Sequence, residues 1–152
     1  MTKVFFKGDL DHFLQDIGSQ SCLFMGEQKT LFSETDRFGV ITFVNNSFCE
    51  VAKYKRDELI GKPHNIIRHP EMPKELFQIL WKTISDGNIF RGIIKNKAKD
   101  DSAYWVKAVI MPQWNTSKNQ IEKFVSFRHL IEDEVHAVKL FQEQLNRLSI
   151  ST

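Results

Sequence analysis

The stretch His64-Asn-Ile-Ile-Arg68-His69-Pro70-Glu71-Met72-Pro73 gathers the chain's densest group of chemically useful side chains. Arg68 and His69 set hydrogen-bond donors and positive charge side by side, and two prolines stiffen the backbone just ahead of a helical pattern. A rigid, donor-rich lip suits an anionic or carbonyl-rich ligand, because charge-assisted hydrogen bonds from arginine are strong and directional. A plain loop leading into a helix, its Arg and His solvated, satisfies the same pattern, and local chemistry leaves both readings open. His64, His69 and Glu71 match no established metal-ligand spacing, so no metal site is assigned. No GxSxG, HExxH, GxxxxGK[ST] or GxGxxG occurs, and the seven glycines stand singly at turns and helix ends. The reading is a binding protein and not an enzyme. Cys22 and Cys49 are too far apart for a CxxC pair and too few for a disulfide framework, so both are read as reduced thiols.

The elements that must position this lip follow from hydrophobic period and turn residues. Leu10, Phe13, Leu14 and Ile17 recur at helical spacing and predict an N-terminal amphipathic helix ended by Gly18. Leu31 to Thr35 and Val40 to Val44 read as a hairpin about the turn Asp36-Arg-Phe-Gly39. Asn45 or Asn46 caps a short helix through Ala52, and a second short helix runs from Arg56 to a stop at Gly61. A longer helix opens at Pro73, carries the stripe Leu76, Phe77, Leu80, Trp81 and Ile84, and ends at Ser85-Asp-Gly87. Three strands follow, Ile89 to Lys97, Ala103 to Met111 and Glu122 to Leu130. Val138, Phe141, Leu145 and Leu148 then form the seam of a C-terminal helix led by Glu132-Asp-Glu134. Five strands with helices segregated to one face make an α+β fold with a cleft between its layers.

Composition narrows the classes of function. The chain has 152 residues, about one domain's worth, of which 41% are hydrophobic and 26% charged, the balance of a globule with a real core. Thirteen Phe, three Trp and two Tyr suit either an aromatic core or a pocket for a flat ligand. A formal charge of +2 and the lack of a basic run argue against nucleic acid as partner. Charge interrupts Met1 to Lys7, and no stretch approaches the ~20 apolar residues of a membrane span, so a cytoplasmic protein is expected.

Six segments together are specific: Ile41-Thr-Phe-Val-Asn45-Asn-Ser-Phe48, Glu58-Leu-Ile-Gly-Lys-Pro-His64-Asn, Arg68-His-Pro-Glu-Met-Pro73, Leu80-Trp-Lys-Thr83, Gly92 through Lys95-Asn96, and Tyr104-Trp105-Val106. Through them the chain resembles PAS domains of the aerotaxis-receptor type and, less closely, the flavin-binding PAS domains of nitrogen-fixation redox regulators. The resemblance runs from about Glu34 to Arg128. It implies a five-stranded PAS sheet that holds FAD noncovalently and reports redox or electron-transport status to the chemotaxis machinery. Carried over residue by residue, it implies cofactor contacts at Arg68, His69, Glu71, Trp81 and Asn96. Ser126, a hydroxyl on the last strand, is a further candidate to hydrogen-bond a flavin there. Asn45 also matches, but a helix cap explains it without a ligand. Two positions depart from the family: Glu71 stands where Asp is usual, and Phe90-Arg91-Gly92 replaces a W-x-G. Covalent thiol photochemistry of the LOV kind is not expected, because Asn65-Ile-Ile-Arg68 offers no cysteine. The alternatives are a haem-binding PAS sensor, with haem b on His64 or His69, and a cofactor-free interaction module filled by its own Phe and Trp.

Three parts are expected: an N-terminal helical cap over 1–30, the PAS sensor over 31–130 and a C-terminal amphipathic helix over 131–152. The expected output route leads from Asn96 and Ser126 along the last strand through Arg128 into the C-terminal helix. With no transmembrane or methyl-accepting segment in the sequence, signalling to a separate partner is expected. That partner is a membrane-bound chemotaxis transducer, which would recruit the protein to the membrane, or another signalling protein. The terminal helices offer faces for a homodimer.

Overall fold

The computed structural model describes residues 2–3 and 30–151. The sheet is built from β1 (Thr2–Lys3), β2 (Thr30–Asp36), β3 (Ile41–Val44), β4 (Phe90–Lys97), β5 (Ala103–Asn115) and β6 (Gln120–Ile131). All pairings are antiparallel, in the order β4-β5-β6-β2-β3 for the five main strands. The two-residue β1 extends the β4 side of the sheet by pairing with the far end of β5, Thr2 opposite Asn115. The five predicted strands are all present; β5 and β6 run longer than predicted because their hairpin turns only at 116–119. The predicted N-terminal helix about Leu10 to Ile17 lies outside the described residues.

Between β3 and β4 lie α1 (Asn46–Ala52), α2 (Arg56–Leu59), a 3-10 turn (His64–Ile67) and α3 (Lys74–Ser85). Asn45 caps α1 as expected, its Oδ1 accepting from Phe48 N at 3.0 Å. The same side chain also ties the helix to the sheet, through Phe32 N at 3.1 Å and Thr30 O at 2.8 Å. Pro73 is the N-cap of α3 and not a first-turn residue, its extended ψ of 136° setting the angle at which the helix leaves the lip. Leu76, Leu80 and Ile84 bury the α3 stripe in one core with Leu31, Ile41, Phe48, Leu59, Val106 and Ile110.

Period-2 alternation gives the sheet two distinct faces. Ser33 and Thr35 of β2, Ile94 and Asn96 of β4, Ile110 of β5, and Phe124, Ser126 and Arg128 of β6 face the helices across a cavity. Trp105, Val109 and Met111 alternate to the other face, where Val109 and Met111 pack with Ile89, Val125 and Phe127.

The C-terminal helix, α4 (Glu134–Arg147), is capped by Asp133, which accepts from His136 N at 3.1 Å. Its seam returns to its own domain. Phe141 packs its ring 5.3 Å from that of Trp105, and Ala137 and Leu145 join the core. Gln144 clasps the open edge of β4, accepting from Ile93 N at 2.6 Å and donating to Ile93 O at 3.0 Å. Of the residues expected to face a partner, only Val138 is substantially exposed, because Phe141, Leu145 and Leu148 find apolar surface on the sheet.

Candidate functional site

A cavity of about 320 Å³ lies between the sheet and the α3 layer. It falls near the small end of the ~300–1,000 Å³ typical of small-molecule sites. The rim begins at the β2–β3 turn. Asp36 Oδ1 accepts from Phe38 N at 2.9 Å and Val40 N at 3.0 Å, and the turn closes on Gly39 at φ +83°. That glycine also makes room for a neighbour: a Cβ there would stand 2.7 Å from Cη2 of Trp81. The Gly39 carbonyl then accepts from His64 N at 3.0 Å, which fixes the 3-10 turn over the cavity.

Four of the six predicted site residues meet on the cavity wall: Arg68, Trp81, Asn96 and Ser126. Arg68 reaches it from the end of the 3-10 turn, its backbone bridged to that of Asn96 and its guanidinium stacked 3.6 Å over the Phe77 ring centroid. Trp81 stands edge-on to Phe124, centroids 5.7 Å apart at 84°. Asn96 and Ser126 are 3% and 5% exposed. His69 and Glu71 do not line the cavity. Pro70 turns the chain outward, so that His69 Nδ1 accepts from Glu71 N at 3.1 Å while the Glu71 carboxylate pairs with Lys95 at 2.8 Å on the surface. The longer Glu in place of Asp therefore reaches Lys95 and not the cavity wall.

The most buried charge in the site is Arg128, which the sequence reading placed only on the route to the C-terminal helix. Arg128 is 5% exposed; its Nη1 donates to His64 Nε2 at 3.0 Å and Ser33 Oγ at 3.3 Å. Burial first, and the Arg128 cation second, hold His64 well below the usual imidazole range, so it is neutral at pH 7. Burial also pulls the Arg128 guanidinium down to about 10. The signal was available: Phe124, Ser126 and Arg128 follow the inward period of β6, and a charged residue on the core face of a strand requires a reason.

Among the described residues, four buried donors on the cavity wall have no hydrogen-bond partner: Arg68 Nε, Asn96 Nδ2, Ser126 Oγ and Arg128 Nε. Leaving such groups unmet costs about 1–3 kcal/mol each. Their convergence on one cavity marks a place for a ligand rich in acceptors. The haem alternative has no support here, because His64 Nε2 is engaged by Ser33 and a guanidinium cation, which opposes iron at that nitrogen. Cys49, on α1, is not among the lining residues.

A family model described as the PAS fold matches residues 41–128. The chain belongs to the PAS family. An aerotaxis receptor of Escherichia coli (strain K12) is 37% identical over 123 residues, covering 80% of this chain and 24% of the receptor. A nitrogen fixation regulatory protein of Klebsiella pneumoniae is 28% identical over 105 residues, covering 68% of this chain and 21% of that protein. The PAS chain thus spans about a quarter or less of these curated relatives. The dark structure of the blue-light photoreceptor Aureochrome1 LOV superposes with a TM-score of 0.71 at 19% identity, covering 95% of this chain and 96% of that one, a likeness of fold. Among the described residues, no helix of this PAS protein is long and apolar enough to cross a membrane.

Proposed function

We propose that this PAS domain binds FAD noncovalently, with the isoalloxazine ring in the cavity, and passes the ring's redox state to a separate signalling protein. The observation that carries the reading is the set of four unpartnered buried donors, since a flavin's pyrimidine edge supplies carbonyl and ring-nitrogen acceptors. Similarity to an aerotaxis receptor supports energy taxis as the setting. A bound flavin would contribute reversible electron uptake. Arg68, Asn96 and Ser126 would hold the polar edge, and Trp81 would flank the ring plane.

In this reading His69 and Glu71 position the lip: His69 anchors the Glu71 backbone, and the Glu71–Lys95 pair ties the lip to β4. The cofactor-free alternative loses ground, because Phe77, Trp81 and Phe124 form walls around the cavity without filling it. We assign sensing to 31–130, output to the helix beyond and a capping role to 1–30, in a cytoplasmic protein brought to the membrane by its transducer. The absorption spectrum of freshly purified protein, repeated after incubation with FAD and gel filtration, tests the proposal. Flavin bands at stoichiometric occupancy, reduced ten- to a hundredfold in affinity by Arg68→Ala, are expected. A Soret band, or a protein that takes up no FAD, would refute it.

A further inference from the structure

Among the described residues, the cavity wall carries two guanidinium groups, Arg68 and Arg128, and no carboxylate. Arg128 arises from the inward row of β6, opposite Ala108 on β5 and Leu31 on β2, where neither neighbour offers charge. Its polar contacts are Ser33 and the neutral His64. Tyr104, the phenol that feels its charge, is pushed up to about 12 by burial and stays protonated. Among the described residues, no ion pair includes Arg128. Arg68, the other guanidinium on the wall, is less deeply buried and lies on the face of Phe77, which disperses part of its charge. A buried cation without a counter-ion is costly to a fold and persists where a ligand supplies the compensating charge.

We propose that Arg128 makes the cavity selective for a ligand edge bearing negative charge, and that this selectivity raises the reduction potential of a flavin held there. The second half rests on the FAD reading above. A flavin ring that takes up two electrons and one proton carries one negative charge at neutral pH, shared between a pyrimidine-ring nitrogen and the adjoining carbonyl; in the test below dithionite supplies the electrons. His64 and Ser33 position the guanidinium, and Arg128 Nε remains free to donate.

The experiment is an anaerobic dithionite titration of the FAD-loaded wild-type protein, Arg128→Met and Arg128→Lys, combined with FAD dissociation constants and melting curves of the ligand-free proteins. Arg128→Met is expected to lose ten- to a hundredfold more affinity for reduced than for oxidised FAD. That lowers the midpoint by about 30–60 mV at 29.6 mV per decade for a two-electron couple. Arg128→Lys should retain most of the wild-type potential. Ligand-free Arg128→Met should melt at or above wild type, and Arg128→Gln replaces it should the Met variant not fold. Equal weakening of both redox forms, or a ligand-free Met and Gln variant that both melt well below wild type, would show that Arg128 serves the fold alone and would overturn the proposal. A wild-type protein that takes up no FAD refutes the flavin reading instead, and the ligand-free melting comparison still decides whether Arg128 is an uncompensated charge.

Discussion

At the scale of single residues, the site is governed by buried groups whose protonation the fold has fixed. His64 sits between Ser33 and Arg128 with the Phe48 ring perpendicular to its own, centroids 5.9 Å apart. Its folded-state pKa lies well below the unfolded value near 6.5, so the unfolded chain binds the extra proton first and stability falls as pH drops below about 6.5. The slope is at most about 1.4 kcal/mol per pH unit for one such group. His69 and His129 shift in the same direction, both mainly through burial, so His64→Gln should remove part of the loss and not all of it. Urea unfolding between pH 7.5 and 5 measures this; an unchanged pH slope in His64→Gln would place the imidazole in water. Of the three residues assigned from the motif RHPEMP, only Arg68 reaches the cavity wall. A motif gives sequence order, whereas the direction each side chain takes depends on the turn at Pro70 and on Lys95 from a distant strand.

At the scale of elements, the hairpin, the short helices, α3 and the last three strands were legible because each is local: a two- or 3.6-residue period bounded by Gly, Pro or a capping side chain. The destination of α4 was not legible. An apolar seam of this length fits a partner helix and a sheet face equally well, and in the fold Gln144 adds a polar tie to the apolar contacts, its amide substituting for a neighbouring strand at Ile93. Gly92 is part of the same arrangement, since a Cβ there would lie 2.7 Å from Gln144 Oε1. Gln144→Ala should destabilise the domain by about 2–4 kcal/mol, because it leaves an edge N–H and C=O unpaired beneath the helix. A lowered urea midpoint and faster exchange of the Ile93 amide are the expected readouts. An unchanged midpoint with Ile93 still protected would mean that the clasp adds nothing to docking.

At the scale of the whole molecule, cavity and terminal helix share two strands. β6 carries Ser126 and Arg128 on the cavity wall and runs on to Asp133 and α4. β4 carries Ile94 and Asn96 on the same wall and is clasped by α4 at Ile93, the residue between wall and helix that the sequence reading did not single out. In the proposed function, a change of charge in the cavity reaches α4 through these strands. A rearranged hydrogen bond supplies about 1–3 kcal/mol, enough to move a balanced equilibrium ten- to a hundredfold but not a strongly biased one. Hydrogen exchange of the FAD-loaded protein, oxidised and then reduced under anaerobic conditions, tests this most directly. Redox-dependent protection is expected at residues 93–96, at the end of β6 and along 134–147; identical protection of all three segments in the two states would rule this route out.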